Sequence, residues 1–287
     1  MLAVLFGLLT ALCLAASHVL MRRGLEVTNT PFTGTVVNLA VNAAFLWALS
    51  LFLVPATAFA SMPWLVFVTI GIFVPSLARA SHYRGVSLVG VSRSTAMLGT
   101  SPLFSTLAAV AFLGERPTGY VLVAIPFIIT GVALLSWMKE QGQWRGGGIL
   151  YSLVAALLFS GRDALGRFGL LRFAYPLAGA TVVATTSSLV MLAAALLFRP
   201  GTLPFRNPYF FASGITAGLS YLFLYSGLHA GQVVVVAPFV YSHPAFVVGM
   251  TALFLRKFER LSGRILVGVG LILAGMLLVV ISEAWRA

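Results

Sequence analysis

The chain has 287 residues, 60% of them hydrophobic and 8% charged, with 18 Lys and Arg against 6 Asp and Glu for a net charge of +12. A soluble domain carries about 25% charge, so a globular enzyme in solution is excluded and an all-α integral membrane protein is expected. The single cysteine, Cys13, excludes an internal disulfide and argues against a cysteine-ligated metal cluster.

A hydrocarbon core of about 30 Å takes about 20 helical residues to cross. Apolar runs of that length predict spans, in chain order, at about 2–21, 31–54, 63–83, 88–113, 118–138, 147–167, 174–198, 209–228, 232–255 and 263–283. The first run has no basic residue before it and many similar runs after it, so it reads as a retained span and not a signal peptide. The breaks carry turn and charge signals: Arg22-Arg23-Gly24, Pro55, Gly114-Glu115-Arg116-Pro117, Arg199-Pro200-Gly201 and Arg256-Lys257. The longest polar interval, Lys139 to Gly148, lies near the midpoint and divides the chain into a five-helix unit 1–138, a connecting loop 139–146 and a five-helix unit 147–287. Long strands of alternating polarity are absent, which rejects an outer-membrane barrel.

The two units repeat. Tyr83-Arg84-Gly85 aligns with Tyr225-Ser226-Gly227 at an offset of 142, as do Pro102-Leu103-Phe104 with Pro244-Ala245-Phe246 and Leu113 with Leu255. A two-residue insertion then brings Glu115 to Glu259 and Gly131 to Gly275. Five spans is an odd number, so the two units enter the membrane from opposite sides, as inverted-topology repeats that can open one central site to either face in turn.

The segments Ser101-Pro102-Leu103-Phe104, Phe112-Leu113-Gly114-Glu115-Arg116-Pro117 and Gly131-Val132-Ala133-Leu134-Leu135 resemble the end of the first half in the drug/metabolite transporter superfamily, of the ten-helix kind built from two EamA-type halves. Phe254-Leu255-Arg256-Lys257-Phe258-Glu259 keeps the acid but loses the Gly-Glu-Arg turn. The resemblance covers the whole chain and implies a transporter of small solutes such as amino acids, phosphorylated sugars or toxic organic compounds. It also implies both chain ends inside the cell. The basic residues, concentrated after odd-numbered spans, place both ends outside by the positive-inside rule.

Paired interruptions in corresponding helices are the strongest sequence pointer to a transporter site. Pro102 and Pro244 fall near the middle of spans four and nine as expected kinks, each freeing a carbonyl that a cavity with water or substrate would serve. The competing reading is a packing kink satisfied by neighbouring helices. Ser101 and His243 precede the two prolines, and Ser17-His18 lies on the first span. His243, His18 and Asp163 are the candidate proton carriers, since imidazole titrates near physiological pH and Asp163 is an acid at membrane depth. His82 and His229 read as interfacial, near helix ends.

Arg79, Arg93 and Arg162 fall inside apolar runs, where a charge normally faces a cavity or a partner. Arg79 and Arg93 are expected to flank one hairpin turn at equal depth, as a clamp for carboxylate or phosphate or as snorkelling side chains. Arg162 and Asp163, adjacent on a helix, are expected to serve different partners. Tyr83, Tyr221, Tyr225 and Tyr241 offer a ring face and a hydroxyl to a passage, with an interfacial belt the favoured alternative for Tyr83 and Tyr225. Asn38 and Asn42 share a face of span two, and Gly214 and Gly218 form a small-residue packing patch.

No catalytic constellation or His-Glu-x-x-His spacing occurs, so neither an enzyme, a cofactor nor a bound metal is expected. The sequence points to a secondary exporter of a small polar or anionic metabolite, such as an amino acid, in a bacterial-type inner membrane, with proton coupling expected. Its expected partners are the solute, protons and membrane lipids, with no nucleic acid, as a monomer or homodimer. The alternatives are a lipid or lipid-linked-sugar flippase and a drug efflux protein.

Overall fold

The computed structural model describes residues 1–28, 30–89, 91–136, 147–198, 207–254 and 263–285, and the regular structure among them is entirely helical. The first half comprises α1 (Leu2–Thr28), α2 (Pro31–Leu53), the short α3 (Ala56–Ala60), α4 (Trp64–Gly71), α5 (Ala78–Val89), α6 (Val91–Leu98), α7 (Ser101–Leu113) and α8 (Gly119–Leu135). The second half comprises α9 (Gly147–Leu170), α10 (Pro176–Phe198), α11 (Pro208–Ala230), α12 (Val233–Val240), α13 (His243–Phe254) and α14 (Gly263–Ala284). Among the described residues nine helical stretches are long and apolar enough to cross a membrane, and the 17-residue α8 is a shorter apolar tenth.

Local chemistry sets the helix ends. Pro31 and Pro208 occupy the first turns of α2 and α11, where no amide hydrogen is needed. Asn207 Oδ1 accepts from Tyr209 N at 3.1 Å, and Thr118 Oγ1 accepts from Val121 N at 3.4 Å. α7 ends at Gly114, whose φ of 66° lies in the left-handed region. A side chain there costs about 1–2 kcal/mol, so Gly114→Ala is expected to lower thermal stability in detergent by that amount without altering the span.

Three spans are discontinuous. The third consists of α4, a π-helical stretch Ile72–Leu77 with extended backbone at Val74 (φ −132°, ψ 123°), and α5. The fourth is α6 then α7, and the ninth is α12 then α13. The third span also runs past its expected end. Tyr83-Arg84-Gly85 does not turn, because a Cβ on Gly85 would collide with Ser152 Oγ: the glycine lets α5 press on α9. α5 continues to Val89 and packs against α6, which starts at Val91. Arg79 is therefore ten residues, or about 15 Å, from the end of α5, and it does not share a depth with Arg93, the third residue of α6.

Inter-half packing follows a two-fold exchange. The most extensive contact outside the breaks, α1 on α11, is matched by α5 on α9, its repeat equivalent. The contacts of α1 with α12 and α13 are matched by those of α9 with α6 and α7. α14 on α8 is its own mate. At the α2–α11 crossing, Gly214 and Gly218 let the helices close on Val41 and Phe45.

Candidate functional site

The breaks in spans four and nine match hydrogen bond for hydrogen bond. Gly99 N donates to Thr95 O at 2.9 Å and Tyr241 N to Ala237 O at 3.0 Å, each pair 142 residues from its counterpart. Thr100 Oγ1 donates to Met97 O at 2.6 Å, and Ser242 Oγ to Phe239 O at 2.5 Å. Pro102 and Pro244 have no amide hydrogen to offer Leu98 O and Val240 O. Ser101 Oγ takes Leu98 O at 2.6 Å, and His243 Nδ1 takes Val240 O at 3.0 Å. The prolines are thus not mid-helix kinks. They lie in the first turn of α7 and α13, just after each break, and the side chain before each proline, not a cavity or a neighbouring helix, satisfies the freed carbonyl.

Since Val240 O can only accept, His243 carries its proton on Nδ1 there and leaves the Nε2 lone pair for another group. Its ring meets that of His18 edge-on, with centroids 5.1 Å apart at 70°. His18 is exposed, yet it lies about 140° around α1 from Leu5, which carries the helix's outward apolar face. An exposed residue on the inward face marks an accessible interior space. Arg79, half-buried at the start of α5, is within electrostatic reach of His18, as is His82. Among the described residues no carboxylate pairs with Arg79.

Deeper in the core, Asp163 is 1% exposed and Arg162 8%. Contrary to the expectation from helix faces, the two are partners: Arg162 Nε and Nη2 both donate to Asp163 Oδ1, at 2.9 and 2.8 Å. Asp163 Oδ2 accepts from Ser105 Oγ at 3.0 Å and Tyr241 Oη at 2.8 Å. The Arg162 guanidinium also lies 5.6 Å over the Phe159 ring. The carboxylate therefore receives four donors from α7, α9 and the α12–α13 break, and ties the two halves together. Nearby, Ser160 Oγ reaches Ser101 O at 3.0 Å. Tyr221 stacks on Tyr225, and both are buried; Tyr225 is 0% exposed, which removes it from any interfacial belt.

The remaining candidates separate. Ser17 is buried in a helix contact: its Oγ donates to Ser213 O at 2.9 Å, Ser213 Oγ returns a bond to Ser17 O at 3.0 Å, and Asn38 Nδ2 donates to Ser213 Oγ at 2.7 Å. Asn42 is 1% exposed against Gly218, and neither amide atom has a partner among the described residues. His82 lies inside α5, not at a helix end, and its Nδ1 meets Ser94 Oγ at 3.1 Å, which in turn meets Ser152 Oγ at 2.8 Å. His229 is exposed near the end of α11. The side chains of Arg93 and Tyr83, and Glu259, lie outside the described residues.

Sequence reasoning missed Ser105, one turn beyond Ser101 on the same helix face, and the part played by Glu115. Glu115 is buried and accepts from Val233 N and Val234 N, each at 3.0 Å, so the Gly-Glu-Arg turn of the first half caps the start of α12 in the second. Arg167, also missed, donates to the last carbonyls of α11 (Leu228 O at 2.7 Å, His229 O at 2.9 Å), with Nε 4.0 Å from Glu115 Oε1. This seal lies at the membrane face where both α1 and the loop after α7 begin. Measured along their helices from that face at about 1.5 Å per residue, Asp163 lies at about 10 Å, His243 at about 15 Å and His18 at about 24 Å. Exposure rises in the same order, from buried through half-buried to exposed: of these three side chains, the one nearest the Glu115 face is the most buried and the one farthest from it the most exposed. Tyr241→Phe removes one of two donors to Asp163 Oδ2 and is expected to cost about 1.5–3 kcal/mol, the worth of a bond to a charged group, read as thermal stability against Tyr221→Phe as control.

The sequence model of the EamA-like transporter family matches residues 1–137 and again 146–281. The chain is 28% identical over 196 residues to phosphoenolpyruvate/phosphate translocator 1, chloroplastic, of Arabidopsis thaliana, covering 67% of this chain and 47% of the relative. It is 27% identical over 196 residues to the chloroplastic triose phosphate/phosphate translocator, non-green plastid, of Brassica oleracea var. botrytis, with the same coverage of 67% and 47%. The chain spans about half the length of these curated relatives. A crystal structure of a protein 18% identical to it superposes with a TM-score of 0.82 over 99% of each chain, a likeness of fold.

Proposed function

The chain belongs to the EamA-like transporter family and is a multi-pass membrane transporter, and from that premise we propose that it exports a small anionic metabolite by alternating access, coupled to protons, across a bacterial-type inner membrane. One observation carries the reading: His18, exposed on the inward side of α1, faces His243 at the second helix break, with the Arg79 cation in reach and, among the described residues, no carboxylate paired with it. Arg162 is neutralised by Asp163, so the anion preference rests on Arg79. The names of the relatives, translocators of phosphoenolpyruvate, triose phosphate and phosphate, support the same charge class.

In this reading the solute enters from the face opposite Glu115 and its anionic group settles near Arg79 and His18. His243 offers its Nε2 lone pair to a proton or to a solute hydroxyl. Asp163, with both oxygens already engaged, is a structural anion here and leaves proton carriage to the two histidines. Alternating access then requires the Glu115 seal to open as the other end closes.

Counterflow in proteoliposomes with phosphoenolpyruvate as probe tests the anion site. Arg79→Gln is expected to reduce uptake at least tenfold, about 1.4 kcal/mol or more of lost interaction, with thermal stability unchanged. Equal uptake by the variant and the parent sinks the anion assignment. A separate pair of measurements tests coupling: His18→Asn with His243→Asn is expected to abolish flux driven by a pH gradient, while solute exchange persists at a reduced rate through Arg79. Flux indifferent to the gradient in the parent protein removes the proton from the mechanism.

A further inference from the structure

A second site lies outside the solute pathway, on the membrane-facing surface between α7 and α8. Leu103, Leu107 and Val110 of α7 and Leu122, Ile125 and Ile129 of α8 wall a groove of about 540 Å³. That is the size of a small-molecule site, roughly 300–1,000 Å³. Leu103, Leu107, Val110 and Leu122 are all exposed, and they lie on spans that cross the bilayer, so the phase against them is lipid.

Two features separate this groove from an ordinary lipid-facing seam. Thr106 lines it, is 3% exposed, and its hydroxyl has no partner among the described residues. Pro126 also lines it and has no amide hydrogen for Leu122 O one turn earlier, so α8 loses a helical bond within the groove wall. A hydrocarbon environment leaves neither group served by water. The groove runs from Pro117 at the membrane face to Thr130, about 20 Å along α8 at 1.5 Å per residue, whereas one leaflet is about half of the 30 Å hydrocarbon thickness. At the Pro117 end stand the exposed Arg116 and the exposed Tyr120, a cation and an amphipathic ring at headgroup level.

We infer that this groove holds one anionic phospholipid, with an acyl chain along the α7–α8 seam past Thr106 and Pro126, and its phosphate at Arg116. A basic residue at the mouth selects for anionic headgroups as juxtamembrane cations do. The inference is independent of the solute reading, because its readout is bound lipid and not flux.

The full chain, purified and equilibrated in nanodiscs of equal phosphatidylglycerol and phosphatidylcholine, is released into the gas phase for native mass spectrometry. The parent protein is expected to retain one phosphatidylglycerol in preference to phosphatidylcholine by about tenfold. Val110→Trp, which fills the groove, is expected to lose that lipid; Arg116→Gln is expected to keep a lipid but lose the headgroup preference. Circular dichroism checks that both variants remain folded. Equal retention and preference across parent and variants overturns the proposal. So does conversion of a dimer to a monomer by Val110→Trp, which makes the groove a contact between copies of the chain.

Discussion

Asp163→Asn is expected to destabilise the protein by about 3–5 kcal/mol, the largest single effect of any substitution considered, because it strands a buried guanidinium. Arg162 has both of its resolved bonds on Asp163 Oδ1 and is 8% exposed. An asparagine offers one neutral oxygen in place of the carboxylate and turns an amide toward Ser105 or Tyr241. The double replacement Arg162→Met with Asp163→Leu removes both charges together and is expected to recover most of the loss, since apolar substitutes for a buried ion pair are often neutral or better. Thermal unfolding in detergent, monitored by size-exclusion chromatography, separates the cases. A double variant no more stable than Asp163→Asn would show that the network's hydrogen bonds to Ser105 and Tyr241, and not the stranded cation, dominate.

Glu115→Gln is expected to loosen its end of the molecule. The carboxylate serves Val233 N and Val234 N at 3.0 Å each and stands 4.0 Å from Arg167. Glutamine can accept only one of those amide bonds well and carries no charge for the α12 terminus. The loss of about 1.5–3 kcal/mol corresponds to a roughly ten- to hundredfold larger open population if opening is the step affected. Val234 is fully buried, so a thiol placed there reports opening: in a Cys13→Ser background, Val234→Cys is expected to react with a maleimide at least tenfold faster when Glu115 is glutamine. Unchanged labelling would mean that this end is held by helix packing alone.

Much of this architecture was legible from hydropathy, because span length is dictated by the bilayer and not by side-chain detail. The prolines at 102 and 244 marked the right helices, but the break lies before each of them. Nothing in a one-dimensional pattern shows that Thr100, Ser101, Ser242 and His243 hand their side chains back to carbonyls three residues earlier. The separation of Arg162 from Asp163 failed for a related reason. Helix-face arithmetic describes Cβ directions, whereas a long guanidinium folds onto its neighbour when Ser105 and Tyr241 hold that carboxylate from the other side. The expected span ends at 83 and 88 put Arg79 and Arg93 at equal depth, whereas α5 runs on to Val89 with Gly85 inside it, at the approach of Ser152. Glu115 was recognised within its motif, but its function requires the start of α12, 118 residues away in sequence.

The matched breaks have an energetic corollary. Were the halves identical, the conformer open to one side and the conformer open to the other would be degenerate, each populated equally without solute. Any resting bias must therefore come from the positions at which the copies differ, and the break itself supplies one: a hydroxyl at Ser101 where its counterpart carries the imidazole of His243. A handful of such asymmetries, each worth a fraction of the few kcal/mol that separates conformers, is enough to give a symmetric scaffold a direction.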